Sequence, residues 1–233
     1  MFRMALTAML VISTLAAVAW GLLGAEATRL HTIRVVGIQR ASEAQVRHLA
    51  GLAMNEPLVQ LDLQAAVAGV ERHPWVAHAE ARRVFPDTVV IQVEERQVVA
   101  LLLLDRLYLV DHDGEAFRIA SSPDLDHPFL TGVPLDLSQQ HPELARRIVH
   151  DAMDWLSAVE GRGGLEEKDI SEIHFDAKSG YAVALRNGGE ILLGFRDHRV
   201  LDRLDALVAQ GVDLSHPHRV DLGFDKLAVV TPL

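Results

Sequence analysis

The side chains that could do chemistry in this 233-residue chain are its twelve histidines and its carboxylates, because it contains no cysteine. Without thiols there is no disulfide, no thiolate nucleophile and no cysteine-based zinc site. The histidines are not spaced for metal binding. No His-Glu-x-x-His occurs, and His73, His127, His141 and His216 each precede a proline, which is turn context. His216-Pro217-His218 brings two imidazoles close together, but no third ligand accompanies them, so a solvated loop is the simpler reading. Asp111-His112-Asp113-Gly114-Glu115 looks like a fragment of a calcium loop. It lacks the downstream ligand spacing and lies between two apolar runs, where Asp-Gly marks a hairpin. Gly161-Arg162-Gly163-Gly164 reads as a helix stop, and neither Gly-x-Ser-x-Gly nor Ser-x-x-Lys is present. Trp75 and Trp155 are read as core residues. These residues predict a protein that is not an enzyme and needs no cofactor or metal.

Charge and hydropathy say where such a protein would work. The net charge of -10 repels phosphate backbones, so nucleic acid is not an expected partner. From Met4 to Ala25 no residue is charged, and Arg3 and Glu26 bound the run. A helix of about 20 apolar residues crosses a bilayer. The positive-inside rule then places residues 1–3 in the cytoplasm as a short tail, residues 4–25 in the inner membrane as a single span, and the remainder outside, in the periplasm. The rival reading is a signal peptide cleaved near Ala25-Glu26-Ala27. The run exceeds the roughly 7–15 residues of a usual signal core, which favours the anchor. Both readings export residues 28–233.

The exported part alternates between helical and strand periods. His31 to Ile38 is a short strand-like run. Ser42-Glu43-Ala44-Gln45 is a capping box that starts a helix ending at Gly51. Asp62 caps a second helix, with Leu63, Ala66, Val67 and Val70 on one stripe and His73-Pro74 ending it. Trp75, Ala77, Ala79 and Ala81 alternate with Val76, His78, Glu80 and Arg82 as a half-buried strand; Phe85-Pro86-Asp87 turns the chain, and Val89, Ile91 and Val93 mark a third strand. The order over residues 28–96 is β-α-α-β-β, enough for a small domain. Residues 97–233 predict a mainly antiparallel β domain with two helices. Strand runs cover residues 97–104, 107–110, 115–119, 170–175, 181–186, 191–195, 219–224 and 227–231. One long helix starts at Pro142 with Leu144, Ile148, Ala152, Trp155, Leu156 and Val159 inward; another, capped by Asp197, turns Val200, Leu201, Leu204, Leu207 and Val208 inward. Val220, Leu222 and Phe224 share one strand face, and Ser121 to Pro134 reads as a loop. The fold class is α+β.

Pro74-Trp75-Val76, Arg83 through Pro86-Asp87-Thr88, Val93-Glu94-Glu95-Arg96 and Leu109-Val110-Asp111 through Gly114 to Phe117, in this order, resemble the motifs of the FtsQ/DivIB cell-division family, with its POTRA domain followed by a β domain. His73-Pro74-Trp75-Val76 resembles the family's Pro-Trp-Val element. Arg83-Val84-Phe85-Pro86-Asp87-Thr88 with Val93-Glu94-Glu95-Arg96 resembles its Arg-x-x-Pro-Asp-Thr…Val-x-Glu-Arg signature. Val98-Val99-Ala100 keeps the last two residues of the Pro-Val-Ala that follows in the family. Leu109-Val110-Asp111 through Gly114 to Phe117 resembles its second-domain hairpin. Phe129-Leu130-Thr131-Gly132 resembles its short loop, and Val220-Asp221-Leu222-Gly223-Phe224 its closing segment, where Gly223 and Phe224 stand in place of a frequent Arg and Tyr. The resemblance implies a scaffold of the septal assembly that binds the division proteins FtsB and FtsL through its carboxy-terminal strands, with FtsK contacted through the POTRA domain. On the residues alone, Leu227 to Thr231 reads as an ordinary interior strand, or as one covered by the protein itself, rather than as a docking edge. With the resemblance it becomes a sheet edge, where an extended partner segment adds through main-chain bonds. The partner-binding residues expected on this basis are Phe224, Lys226, Leu227, Ala228, Val229, Val230 and Thr231, with Lys178 as a cationic neighbour. A periplasmic POTRA-type chaperone module is the alternative function.

Overall fold

The computed structural model describes residues 13–14, 28–195, 197–224 and 227–233. Ser13 and Thr14 are helical, and the rest of the apolar run expected to cross a membrane lies outside the described residues. Among the described residues no helix is long and apolar enough to cross a membrane. The chain divides into two compact units, Met1–Arg96 and Gln97–Leu233.

In the first unit, β1 (Thr32–Val36), α1 (Glu43–Ala50), α2 (Leu63–Val70), β2 (Val76–Val84) and β3 (Thr88–Glu95) give the β-α-α-β-β order. The sheet runs β1-β3-β2, with β1 parallel and β2 antiparallel to β3. Local signals set the helices. The Ser42 hydroxyl accepts from the Gln45 N–H at 3.3 Å, and the Gln45 side chain accepts from the Ser42 N–H at 3.4 Å. Asp62 accepts from the Ala65 N–H at 3.0 Å. Leu30, Val46, Leu58, Val70 and Ile91 are fully buried, and each contributes about 1.5–3 kcal/mol by leaving water. The expected alternation along β2 fails at its start. A bulge between Val76 and His78 shifts the register, so Val76 and Ala79 are buried while Ala77 is exposed.

The second unit is a nine-stranded sheet in the order β12-β11-β10-β9-β8-β7-β4-β5-β6. Its strands are β4 (Ala100–Leu103), β5 (Leu107–Val110), β6 (Ala116–Ile119), β7 (Phe129–Thr131), β8 (Ile170–Asp176), β9 (Gly180–Leu185), β10 (Glu190–Gly194), β11 (His218–Asp221) and β12 (Val229–Pro232). The helices are α3 (Leu135–Gln140), α4 (Pro142–Val159) and α5 (Leu201–Ala209). The pairs β4–β7, β7–β8 and β10–β11 are parallel and the remaining neighbours antiparallel. A parallel pair needs a crossover. Between β7 and β8 the crossover is α3 and α4; between β10 and β11 it is α5. Buried residues of α4 and α5 join those of the strands in one core, with Trp155, Leu204, Ile173 and Val220 among its members.

Four expectations need correction in this unit. Residues 129–131 form a strand inside the expected loop, pairing with β4 on one side and β8 on the other. A third helix, α3, precedes α4. Leu144 is 45% exposed, because the buried stripe of α4 runs through Ala145, Ile148, Val149 and Ala152. Phe224 is 52% exposed, because β11 ends at Asp221 and the chain leaves the sheet. The Asp111 turn is built as a hairpin: its buried carboxylate accepts from the N–H groups of Asp113 (3.1 Å) and Glu115 (2.9 Å). Gly114 closes that turn at φ +76, and a Cβ there would meet the α4 backbone at His150 at 2.9 Å.

Candidate functional site

The carboxy-terminal strand β12 lies at one end of the nine-stranded sheet and, among the described residues, pairs only with β11. Its register with β11 sets Arg219 opposite Thr231 and Val220 opposite Val230. One step further, the Leu233 N–H donates to the Pro217 carbonyl at 3.1 Å. Hydrogen-bonded and non-hydrogen-bonded pairs alternate along an antiparallel ladder. Val229 and Thr231 therefore turn their main-chain groups toward β11, whereas Ala228, Val230 and Pro232 turn theirs outward. The outer edge offers the N–H and C=O of Ala228 and Val230 and the C=O of Pro232, which has no N–H to give.

Side chains divide by the same alternation. Ala228 and Val230 are half-buried against the core. Val229 is 45% exposed, and Leu227 (68%) and Leu233 (66%) extend an apolar surface along the strand, with Phe224 nearby in sequence. Arg203 of α5 holds the approach to this strand. Its guanidinium donates to the carbonyls of Phe224 (2.6 Å), Leu227 (2.9 Å) and Leu222 (2.8 Å). Gly223 donates its N–H to Asp221 at 2.8 Å.

Of the residues expected to bind a partner, Leu227, Ala228, Val229, Val230 and Thr231 lie on or directly before β12, and Phe224 is tied to it through Arg203. Lys226 lies outside the described residues. Lys178 is exposed on the turn joining β8 to β9, where Asp176 accepts from its N–H at 2.9 Å. That turn is at the same end of the sheet as residues 222–224 and 227–228, because Tyr181 pairs with Gly194 and Asp221 with Val229. It is nonetheless three strands from β12, about 14 Å sideways at the usual strand spacing. Arg203 was not legible as a site residue: a lone arginine on a helix gives no signal of the carbonyls it will reach. Pro232 and Leu233 were also missed, because the strand ends later than its pattern suggests.

The motif residues of the first unit mostly hold the fold. Glu95 accepts from the N–H groups of Gln39 (3.0 Å), Arg40 (2.9 Å) and Ala41 (2.7 Å). Burial pulls this carboxyl upward, but the N–H groups of Ala41, Arg40 and Gln39, with His73 nearby, outweigh it and hold its pKa below the ordinary 4.5. Arg83 donates to the carbonyls of Leu58 (2.6 Å) and Leu61 (2.5 Å). Trp75 is buried with the Arg40 guanidinium 4.5 Å above its ring.

Three groupings could be mistaken for chemistry. Thr131 bonds Glu172 and lies 2.7 Å from His174 Nδ1. The carboxylate and the hydroxyl both approach Nδ1, at 3.6 Å and 2.7 Å, so no acid orients the imidazole from the opposite nitrogen as a relay requires. His150, Asp151 and Asp154 cluster on α4, all exposed, with His150 paired to Asp154 at 3.4 Å. His216 pairs with Asp213 at 3.0 Å, and His218 donates to the His216 carbonyl at 2.9 Å, which makes both part of the loop's own bonding.

The fold defines an α+β protein in which a POTRA-type unit precedes a mostly β unit. Comparison with known proteins agrees with this order: a POTRA domain of the FtsQ type matches residues 28–96, and the carboxy-terminal domain of cell division protein FtsQ/DivIB matches residues 100–223. The chain is 37% identical to the cell division protein FtsQ of Anaeromyxobacter sp. (strain K), over 76% of this chain and 64% of that one. It is 33% identical to the FtsQ of Myxococcus fulvus, over 75% and 62%, and 30% identical to that of Allochromatium vinosum, over 94% and 85%. The chain thus spans less than two thirds of the length of the first two relatives. It belongs to the FtsQ/DivIB cell-division family.

Proposed function

We propose that this chain is a non-enzymatic scaffold of the division septum that holds other division proteins by strand addition at β12. Residues 1–3 form a cytoplasmic tail, residues 4–25 anchor the chain in the inner membrane by a single pass, residues 28–96 are the POTRA domain, and residues 97–233 are the periplasmic β domain that binds FtsB and FtsL. The POTRA domain contacts FtsK. Supporting this reading are the family, the uncharged run from Met4 to Ala25, and above all the state of β12. An edge strand with free main-chain groups pairs with an added strand unless something blunts it. Here the outward groups of Ala228 and Val230 are flanked by exposed Leu227, Val229 and Leu233, and the described part of the strand carries no charge. Phe224, Lys226 and residues 227–231 form the binding site, with Lys178 as a cationic contact at the same end of the sheet.

Amide exchange on residues 28–233 tests this with and without the FtsB–FtsL ectodomains of the same organism. Strand addition protects the amides of Ala228 and Val230, which face no partner strand among the described residues, and leaves those of Val229 and Thr231 nearly unchanged. Protection confined to another part of the sheet refutes the β12 assignment.

A further inference from the structure

We propose that the end of the POTRA unit where residues 28–31 join the sheet is a membrane-contact face, with Met54, Val59 and Phe85 seated at the headgroup boundary of the bilayer. This inference rests on the membrane-anchored reading above. The tether is short. From Ala25, the last residue of the uncharged run, to Thr28 is three residue steps, at most about 11 Å of extended chain. From Thr28 onward there is no slack: the Leu58 N–H donates to the Thr28 carbonyl at 2.9 Å, Leu30 to Glu56 at 2.8 Å and Asn55 to Leu30 at 2.8 Å. His31 and Thr32 both donate to the Asp87 carbonyl, at 2.9 and 3.2 Å. Segments 54–59 and 85–87 are therefore stitched directly to the residues that emerge from the bilayer.

Those segments carry all three large apolar side chains that the described POTRA unit leaves exposed: Met54 at 52%, Val59 at 67% and Phe85 at 59%. Arg29 and Arg83, whose guanidiniums are bonded to Asn55, Leu58 and Leu61, lie in the same region, as does exposed Arg82. Cations beside apolar tips suit the headgroup layer of an anionic bilayer. Exposed Glu56 holds the loop at that level and keeps it out of the acyl core. The face orients the POTRA unit on the membrane with a geometry that a flexible linker would not give.

The absence of native cysteine makes single-site labelling direct. The full chain is reconstituted in vesicles of phosphatidylethanolamine and phosphatidylglycerol, with an environment-sensitive fluorophore on Val59→Cys, Phe85→Cys or Glu94→Cys. Glu94 is the control, six residues along β3 from Thr88 and about 20 Å away. The expected result is blue-shifted emission and quenching by doxyl-labelled lipid at positions 59 and 85, with neither at 94. Carbonate extraction of the same vesicles reports the anchor separately. A chain that resists extraction but shows equal, water-like emission at all three positions overturns the contact face and leaves the anchor standing. A chain that is extracted overturns both.

Discussion

Val230→Pro separates the binding edge from the fold. Val230 faces Val220 in a non-hydrogen-bonded pair, so its N–H takes no part in the β11–β12 ladder. Proline there removes one outward donor and leaves every bond to β11 in place. Its ring is close to valine in volume, and the preceding residue, which proline biases toward extended backbone, is already in the strand. The free protein should therefore melt within about 1 kcal/mol of the parent. In the complex, one main-chain bond worth roughly 0.5–1.5 kcal/mol is lost, and a partner carbonyl buried without a donor adds about 1–3 kcal/mol. The sum, about 1.5–4.5 kcal/mol, weakens binding by roughly 10- to 1500-fold at 1.4 kcal/mol per decade. Val229→Pro is the complement. It removes a donor that faces β11 and should loosen β12 in the free protein as well. Calorimetric titration of both variants with the FtsB–FtsL ectodomains, beside thermal melts, reads the difference. Wild-type affinity for Val230→Pro would refute strand addition at this edge.

Three further outcomes follow from the same geometry. Glu95→Gln leaves three N–H groups with a neutral acceptor and should cost the first unit about 1 kcal/mol, seen as a lower melting temperature. Because the folded pKa of Glu95 lies below 4.5, its stabilisation is fully present above that value and is lost as pH falls through the folded pKa; Glu95→Gln should flatten this acid limb. Arg203→Ala removes three carbonyl contacts, about 2 kcal/mol of local restraint, and should speed amide exchange at residues 222–224 and 227–228 while the core keeps its protection. Gly132→Ala places a Cβ 1.9 Å from the Phe175 carbonyl oxygen at a φ of +81; it should cost more than about 3 kcal/mol in chemical denaturation by forcing β7 away from β8.

Where bonding is local, the sequence was readable. Ser42 with Gln45, Asp62, and the Asp111 turn each carry the group that satisfies a neighbouring N–H, so helix starts and the hairpin could be placed from residue types alone. Strand β7 was not readable. Its three residues sit among Pro, Asp and Ser, and what makes them a strand is parallel pairing with Leu101–Leu102 and Glu172–His174, both far away in sequence. The short helix α3 has no side-chain cap to announce it. The break in β2 came from a bulge that alternation cannot foresee. At the candidate site, the strand itself was visible in Leu227 to Thr231, but which of its amides face outward depends on register with β11. Arg203 reaches that segment only through the fold.

Capture of the FtsB–FtsL ectodomain pair of the same organism by residues 28–233, with and without residues 228–233, tests the central claim most directly. The account predicts capture by the longer form and its loss when β12 is removed, with the melting of the first unit unchanged. Equal capture by both forms would move the site away from β12, and no capture by the longer form would contradict the scaffold function itself.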